Sequence, residues 1–449
     1  MLKKQLTALT ELKFRSVITD VLLVVNAFVW YYVVFALFLQ TIIPKISGAG
    51  FSSAILIWGL HFGGLIISAV AGTFVSKKIK HRHLIILWMI LGTLSSIAIV
   101  LVNPSNIWQV SLIGVILGIS LGIGMPACIG RYSDSIPVEN RGRISGITLF
   151  VSGIGIAAFS IVGISEILIL GIVLAVWRLS GLIIYLLVKA PSSPPLTAKK
   201  SNSQYTKVFG QHSFILYFIP WVMFSLINYL VAPSSPTLGA SESWNLTLVQ
   251  TGFMGLFALL GGFFIDSMGR KRVAVTGFIL LGLGTALLGI SSSDLTILYF
   301  NAIVDGIAWG FLLVLFILTV WGDLSFGTSS DKYYAVGVIP FFISNFLGLT
   351  VGSYISSYFT GYRASELFSF GAFFLFLAVL PLIYTPETLP EKSIKDRDLK
   401  SYVEKARKAA LKEEVKNKKK EEPPKARKDE NEENNEEYNE ARKLAEKYY

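Results

Sequence analysis

Charged residues are scarce in this chain. Asp, Glu, Lys and Arg make up only 15% of its 449 residues, whereas hydrophobic residues make up 53% and the mean hydropathy is +0.60. A water-soluble protein needs a polar surface on all sides, so this composition excludes a soluble enzyme. From Pro386 onward lie 18 of the 40 basic and 17 of the 29 acidic residues. The net charge of +11 therefore belongs to the apolar part of the chain, which indicates membrane topology and not binding to nucleic acid.

Cysteine and catalytic sequence motifs are also lacking. Cys128 is the only cysteine, so no intrachain disulfide can form. The sequence has no G-x-x-x-x-G-K-[ST] phosphate loop, no H-E-x-x-H motif and no Cys/His cluster with metal-ligand spacing, and it shows no nucleophile, base and acid constellation. We therefore expect no ATP hydrolysis, no metal centre, no cofactor and no enzymatic activity.

Long apolar runs are abundant. A helix needs about 20 mostly apolar residues to cross roughly 30 Å of hydrocarbon. Runs of this kind begin near Val17, Ser52, Leu84, Ile107, Ile144, Glu166, Ser213, Leu246, Val273, Thr296, Val336 and Leu367. The sequence therefore predicts an all-α membrane protein with twelve transmembrane helices.

Basic residues fall almost entirely on alternate connections between the predicted helices. These connections hold Lys77, Lys78, Lys80, Arg82, Arg131, Arg141, Arg143, Lys189, Lys199, Lys200, Lys207, Arg270, Lys271, Arg272 and Lys332. The opposite connections hold only Lys45 and Arg363. Because cytoplasmic loops of membrane proteins are enriched in Lys and Arg, this pattern predicts a multi-pass protein of the cell membrane with both termini in the cytoplasm.

A polar segment rich in Pro, Ser and Lys divides the predicted helices into two groups of six. We predict an N-terminal six-helix bundle at 1–189, a cytoplasmic linker at 190–212 and a C-terminal six-helix bundle at 213–385. Residues 386–449 would form a charged cytoplasmic tail. The tail has too few apolar residues for a core, which predicts disorder or loose helix.

Two loop segments occur twice at nearly the same separation. Gly72–Arg82, between predicted helices 2 and 3, corresponds to Gly262–Arg272 between helices 8 and 9. The segment around Asp134, between helices 4 and 5, corresponds to the segment around Asp323 between helices 10 and 11. A duplicated half leaves such a repeat, so we expect two pseudo-symmetric bundles.

The repeated loops carry a family resemblance. Gly262-Phe-Phe-Ile-Asp-Ser-Met-Gly-Arg-Lys matches in full the G-x-x-x-D-x-x-G-R-[RK] signature of the major facilitator superfamily. Asp134-Ser-Ile-Pro-Val-Glu-Asn-Arg-Gly resembles an acidic-x-x-P-x-x-x-R-G element of its sugar-porter and organic-ion branches, and Thr385-Pro-Glu-Thr resembles their P-E-T ending. The first copy departs from the signature, with Ser76 in place of Asp and Ile79 in place of Gly. The resemblance implies the fold of that family.

These loops predict a latch on the cytoplasmic side. A carboxylate at the end of helix 8 can face the positive N-terminus of a neighbouring helix and pair with an Arg, which would hold the two bundles closed. Glycines in the motif allow close helix approach and a tight turn. The residues assigned to the latch are Gly262, Asp266, Gly269, Arg270, Asp134 and Arg141. The basic residues serve equally well as topology anchors, and Ser76 leaves the first half without its latch carboxylate.

Ionisable side chains inside hydrocarbon are costly and indicate functional sites by default. Asn301, Asp305 and Trp309 of predicted helix 10 recur every four residues and share one face. This stripe suits a polar or cationic solute, and the alternative is a structural contact between helices. The family lines its cavity with helices 1, 4, 7 and 10, so the resemblance adds Asn26, Trp30, Trp221 and Asn228 as binding candidates.

Three further polar residues have structural interpretations. Arg178 of helix 6 either extends toward the membrane surface or pairs with Asp20 of helix 1. Asp20 is equally explained as a first-turn carboxylate that the helix dipole favours. His61 of helix 2 is a candidate proton relay because imidazole titrates near neutral pH, yet a lone His without a visible carboxylate partner is more often a hydrogen-bonded packing residue.

Together with the resemblance, these features predict a secondary active or facilitative transporter of a small solute. Two bundles would rock about a site near the membrane midplane, and proton-coupled symport is one form of this mechanism. The expected partners are a small-molecule solute, protons and membrane lipids, with the protein acting as a monomer. The alternative is a non-transporting membrane sensor that signals through the tail at 386–449.

Overall fold

Helices make up the regular structure of the chain in its computed structural model. The model describes residues 2–37, 39, 42–46, 51–162, 166–187, 204–231, 240–325, 328–352, 354–355 and 362–389. The first six long helices are α1 (Leu2–Leu37), α2 (Phe51–Lys78), α3 (His81–Val100), α4 (Ile107–Ser135), α5 (Arg141–Val162) and α6 (Ile167–Leu187). The next six are α7 (His212–Val231), α8 (Ala240–Met268), α9 (Arg270–Ile290), α10 (Leu295–Leu324), α11 (Ser330–Gly352) and α12 (Tyr362–Leu377, continued by Val379–Tyr384). A short helix, Tyr205–Phe209, precedes α7.

The length and composition of the helices fit a membrane. Among the described residues, eleven helices are long and apolar enough to cross one, and α7 is shorter by this measure at His212–Ile227. Large apolar side chains lie exposed on the outer surface, such as Ile67 at 71% and Ile161 at 85%, as contact with lipid allows. The chain is a multi-pass integral membrane protein. The count of twelve crossings and the side of the termini stay predictions.

Several helices begin earlier than their apolar runs predict, among them α8 and α11 in the second half. Helices α8 and α11 begin at Ala240 and Ser330, ahead of the starts predicted at Leu246 and Val336. Their first turns contain Ser-Glu-Ser and Ser-Asp-Lys. An apolar count omits such turns, although polar residues continue a helix readily once it leaves the hydrocarbon.

Pseudo-equivalent polar residues begin α4 and α10. The Asn106 side chain accepts a hydrogen bond from the backbone N–H of Trp108 at 3.0 Å, and the Asp294 carboxylate accepts one from the backbone N–H of Thr296 at 2.7 Å. Such caps satisfy the first amides of a helix, which lack partners within it. Asn106 and Asp294 are separated in the chain by nearly the same interval as Asp134 and Asp323. The repeat therefore extends to both ends of these helices.

The two halves repeat the same helix pairs. In the first half α2 packs along α4 and α3 along α6, and in the second half α8 packs along α10 and α9 along α12. Across the halves, α5 packs against α8, and α11 packs against α2 and the end of α4. We call the side of the molecule that carries Lys77, Arg143 and Arg270 the basic side.

Compactness does not separate the two predicted six-helix bundles. Residues 1–389 form one compact unit. The boundaries at 189, 212 and 385 therefore rest on the repeated helix pairs and stay predictions. Residues 190–203 of the predicted linker and all of the tail from 390 lie outside the described residues.

Two helices of the second half contain π-helical turns. The turn in α10 spans Val314–Thr319, and the turn in α11 spans Gly348–Gly352. Such turns widen a helix locally and occur frequently at functional sites. The turn in α10 separates Asp305, near the middle of the helix, from Asp323 near its end on the basic side.

Candidate functional site

Helices α5 and α8 approach each other at backbone distance. A Cβ atom on Gly262 would lie 2.4 Å from the carbonyl oxygen of Gly142, and one on Gly146 would lie 2.6 Å from that of Ala258. A larger residue at either position would push the two helices apart. Gly262, which the motif predicts to allow close approach, therefore lies at the contact between the two halves.

One turn further along α8, Asp266 faces the first turn of α5. Its carboxylate accepts hydrogen bonds from the backbone N–H groups of Gly142 at 2.9 Å and Arg143 at 2.8 Å. Because α5 begins at Arg141, these amides belong to its N-terminus, where the helix dipole favours negative charge. A carboxylate of the second half thus caps a helix of the first half.

Arg270 and Arg141 share another carboxylate, Asp323, at the end of α10. Arg270 Nη1 lies 3.2 Å from Asp266 Oδ1, and Arg270 Nε donates to Asp323 Oδ2 at 2.9 Å. Arg141 Nη1 donates to Asp323 Oδ1, and its Nη2 donates to the carbonyl oxygen of Ser133 at 2.8 Å. The side chains of Arg270 and of both Asp residues are fully buried. We name these four residues, Arg141, Asp266, Arg270 and Asp323, the charged latch.

The P-E-T segment after α12 joins the charged latch. Gly269 turns the chain between α8 and α9 with φ of +103°, a conformation that glycine adopts without strain. Glu387 Oε1 accepts a hydrogen bond from the backbone N–H of Arg270 at 2.9 Å, and the Thr388 hydroxyl donates to Asp323 Oδ2 at 3.1 Å. Glu387 therefore caps α9, and Thr388 contacts the shared carboxylate.

The sequence alone does not assign Asp323 or Glu387 to the latch. The sequence offers one signal for Asp323, which is its match to Asp134 in the repeat. Glu387 has only the likeness of its segment to the P-E-T ending. Neither signal predicts which residues the carboxylates of Asp323 and Glu387 contact.

Asp134 lies at another contact between the halves. Its Oδ1 accepts a hydrogen bond from Ser330 Oγ at 2.7 Å. Nearby, a Cβ on Gly130 would lie 3.0 Å from the backbone nitrogen of Asp331, so α4 and α11 are also close. Asp134 and Arg141, which the sequence analysis assigned to one loop element, thus contact two different helices of the second half, α11 and α10.

Arg178 is buried and does not pair with Asp20. Its Nη1 donates to Asn26 Oδ1 at 3.0 Å, and its guanidinium lies 4.1 Å from the ring centroid of Trp88. Asp20 instead forms an ion pair with Arg131, with 3.1 Å between Oδ1 and Nε. The expectation of a pair with Asp20 is wrong because α6 holds Arg178 level with Asn26, about 9 Å further along α1.

Asp305 lies on α10 against α8. Gln250 Nε2 donates a hydrogen bond to Asp305 Oδ2, and the Trp309 indole also hydrogen-bonds this carboxylate. Asn301 lies against α9, where a Cβ on Gly284 would lie 2.8 Å from Asn301 Oδ1. Trp309 packs on Phe224 of α7, with 4.7 Å between ring centroids, so the stripe of Asn301, Asp305 and Trp309 contacts α7, α8 and α9.

The binding candidates of α1 contact helices of their own half. Asn26 Nδ2 donates to the carbonyl oxygen of Trp177 in α6 at 2.7 Å. Trp30 Nε1 donates to Ser96 Oγ in α3 at 2.7 Å. Both side chains are buried, so these contacts direct them into the first bundle.

Trp221, the candidate of α7, is buried in the second half. Its Nε1 donates to the carbonyl oxygen of Gly337 in α11 at 2.8 Å. Its ring stacks on Phe316 of α10 with 4.9 Å between centroids. Asn228 lies in α7, but its side chain is outside the described residues.

Aromatic side chains fill the contact of α11 with α1 and α2. The ring centroid of Phe342 lies 6.1 Å from that of Tyr31 and 6.5 Å from that of Phe62. Tyr31 also stacks on His61, with 6.4 Å between centroids and 5° between planes. His61 Nδ1 lies 2.9 Å from the carbonyl oxygen of Gly114 in α4, which fits the packing interpretation. No motif in the sequence distinguishes Tyr31 or Phe342 from other apolar residues of their helices.

Two halves built on one helix pattern and joined on their basic side by buried charges define a membrane transporter fold. The chain belongs to the major facilitator superfamily: the sequence profile described as Major Facilitator Superfamily matches residues 2–160 and 214–420. The structure of the MFS proton:xylose symporter XylE bound to 6-bromo-6-deoxy-D-glucose is similar, with a TM-score of 0.59, 16% identity, and coverage of 84% of this chain and 97% of that chain. Similarity at this identity shows the fold. Comparison with curated proteins gives no sequence match.

Proposed function

We propose that the protein is a secondary transporter that moves a small solute across the cell membrane by alternating access. It acts as a monomer surrounded by lipid, and the charged latch closes its basic side. The observation that carries this proposal is the charged latch, since it joins α5 and the turn before it, at Val138, to α8, α9 and α10 of the second half. Rocking of the halves would part these contacts and open a path to the basic side.

The charged latch suits repeated opening and closing. Removing one partner from a buried ion pair costs about 3–5 kcal/mol, because the other charge stays buried without compensation. Parting the halves differs, since it separates Arg141 from Asp323 and Asp266 from the N-terminus of α5, and water can then replace each lost partner. A single substitution in the charged latch is therefore costly to the closed state, whereas the intact latch opposes opening only weakly. Alternating access needs this combination, because two states interconvert readily only when they differ by a few kcal/mol.

Asp305 is the residue that we assign to solute contact or proton coupling. It lies in a membrane span on α10, where a carboxylate is costly and marks a functional position. The amide of Gln250 and the indole of Trp309 beside it add a hydrogen-bond donor each and an aromatic face, which suits a polar or cationic solute. The structurally similar XylE is a proton:xylose symporter by its description, so sugars and protons are the first candidates to test.

A ligand screen followed by uptake tests the proposal. The purified protein is heated with sugars, amino acids, organic ions and drugs at two pH values. A ligand at about 100 times its dissociation constant should stabilise the folded protein by roughly 2.7 kcal/mol. Ligands that stabilise the protein are then measured for uptake into proteoliposomes, with and without a proton gradient. The proposal is contradicted if no ligand stabilises the protein and none of the panel is taken up.

Asp305→Asn then tests the site. This variant should lower uptake of the identified solute and leave membrane expression unchanged. Asp294→Asn is the matched control, since it makes the same change in the N-cap of the same helix, where Asn caps as well as Asp. Equal uptake by both variants would remove Asp305 from the site.

A further inference from the structure

A second contact between the halves, of α2 and α4 with α11, is the counterpart of the charged latch and has different chemistry. Ser76 at the end of α2 follows Gly72 as Asp266 at the end of α8 follows Gly262, so the repeat matches Ser76 with Asp266. In the other repeated segment, Asp331 in the first turn of α11 matches Gly142 in the first turn of α5. The carboxylate is therefore missing from α2, and the facing helix carries one where α5 has glycine.

Ser76 and Asp331 are in direct contact. Ser76 Oγ donates a hydrogen bond to Asp331 Oδ2 at 2.8 Å. Asp331 is 8% exposed, and it follows Ser330, the first residue of α11. The contact thus joins the end of one helix to the start of another across the two halves, as the contact between Asp266 and α5 does.

The pair of Ser330 and Asp134 corresponds in the same way to the pair of Arg141 and Asp323. The repeat that matches Asp134 with Asp323 also matches Arg141 with Ser330. In the charged latch Arg141 donates to Asp323, and in the first half's counterpart Ser330 Oγ donates to Asp134 Oδ1 at 2.7 Å. The acceptor carboxylate is kept, and a hydroxyl replaces the guanidinium.

We infer that Ser76 and Asp331 close the basic side as a second latch, in which the acceptor carboxylate and the donor have exchanged helices. In the charged latch α8 supplies the carboxylate and the backbone of α5 donates. In the second latch the side chain of α2 donates and α11 supplies the carboxylate. We name Ser76, Asp134, Ser330 and Asp331 the hydroxyl latch. This inference rests on the proposed function and deepens it, since it names the residues that close the other half of the basic side.

The exchange of donor and acceptor determines how strongly the hydroxyl latch holds the halves and how substitutions at Ser76 and Asp331 should act. The contact of Arg141 with Asp323 joins opposite charges, which attract each other, whereas each contact of the hydroxyl latch has one ionised partner. The hydroxyl latch therefore holds the halves less strongly than the charged latch. A carboxylate at position 76 would face Asp331 at hydrogen-bond distance, and like charges repel. Exchanging the two side chains would restore one donor and one acceptor.

Spin-label distances measure closure without any solute. Lys80 and Arg272 are exposed on the basic side, one in each half, and Cys128 is buried. Labels are attached to Lys80→Cys and Arg272→Cys in a Cys128→Ala background, and the distance distribution gives the ratio of open to closed molecules. Into this background we place four variants. Ser76→Asp adds a charge, and Ser76→Asn has the same shape as Asp without the charge. The exchange variant is Ser76→Asp/Asp331→Ser, and the fourth variant is Asp266→Asn. The melting temperature of each variant confirms that it is folded.

Ser76→Asp should raise the ratio of open to closed molecules about tenfold, the size expected for the loss of a hydrogen bond to a charged acceptor. Ser76→Asn should leave the ratio unchanged, because its amide still donates. The exchange variant should return the ratio to that of the parent protein. An exchange variant as open as Ser76→Asp, or an unchanged ratio in Ser76→Asp, overturns the inference.

Asp266→Asn separates this inference from the proposed function. If Asp266→Asn opens the basic side and Ser76→Asp does not, the charged latch stands and the hydroxyl latch is wrong. If neither variant changes the distances, gating by the basic side fails, and the inference fails with it.

Discussion

Substitution of Asp323 by Asn should open the basic side. The carboxylate of Asp323 contacts Arg270 at 2.9 Å and also contacts Arg141. Asn has almost the same volume, so the change removes the charge and leaves the packing. In the closed state Arg141 then loses its buried partner, whereas in the open state, with the halves apart, water hydrates it.

The size of the effect follows from burial. Leaving a buried charge without its partner costs about 3 kcal/mol or more, and about 1.4 kcal/mol corresponds to a factor of ten in an equilibrium. The ratio of open to closed molecules should therefore rise about 100-fold. This cost falls on the closed state, because the contact of Arg141 with Asp323 joins the two halves and exists only while they touch.

The label pair at positions 80 and 272 measures this ratio. Asp294→Asn serves as the control, since it makes the same substitution at the other end of α10. The distance distribution should shift in Asp323→Asn and remain unchanged in the control. A folded Asp323→Asn protein with the parental distribution would refute the argument, because the buried charges would then contribute nothing to closure.

Three further predictions concern glycines and the tail. Gly262→Ala should separate α5 from α8 and raise the open fraction measured by the same labels, because its Cβ would lie 2.4 Å from a carbonyl oxygen; an unchanged fraction would mean that the close approach is not needed. Gly269→Ala should lower the free energy of unfolding by about 1–2 kcal/mol, the cost of a left-handed residue with a side chain. Gly153→Ala, with nothing within 4 Å of its Cβ, should not lower it, so equal melting temperatures would refute strain at Gly269. Deletion of 390–449 should preserve uptake by reconstituted protein, whereas loss of uptake in folded protein would favour a role of the tail in function.

The sequence predicts the parts of the fold that depend on local composition. Apolar runs of sufficient length locate the helices, and the repeat offset predicts equivalent loops in both halves. Polar first turns at Ala240 and Ser330 escape an apolar count, since helix formation continues beyond the hydrocarbon. These errors concern helix ends, where composition changes before secondary structure does.

The candidate site is predictable only where spacing and chemistry are fixed within one loop. Asp266 and Arg270 stand four residues apart in a motif, and the structure brings them to one network. Asp323 and Arg141 are 182 residues apart, and no local pattern indicates that the end of α10 meets the start of α5. The missing carboxylate at Ser76 is visible in the sequence, but its replacement by Asp331 is visible only across the interface.

Helix periodicity also leaves the orientation of each helix undetermined. Asn26 and Trp30 share one face of α1, and Tyr31 lies on the next. Periodicity relates these faces to each other, but packing against α3 and α6 decides which face points into the first bundle. Tyr31, and not the two predicted residues, therefore meets Phe342 of the other half.

The path of the chain after α12 gives the protein a mechanical property. Glu387 holds the start of α9 and Thr388 contacts Asp323, next to Leu389, the last residue of the compact unit. Tension applied to the chain at Leu389 would act first on these two hydrogen bonds and then on the carboxylate that both arginines share. A tag or surface tether fused directly after Leu389 would therefore apply force to the closure of the basic side.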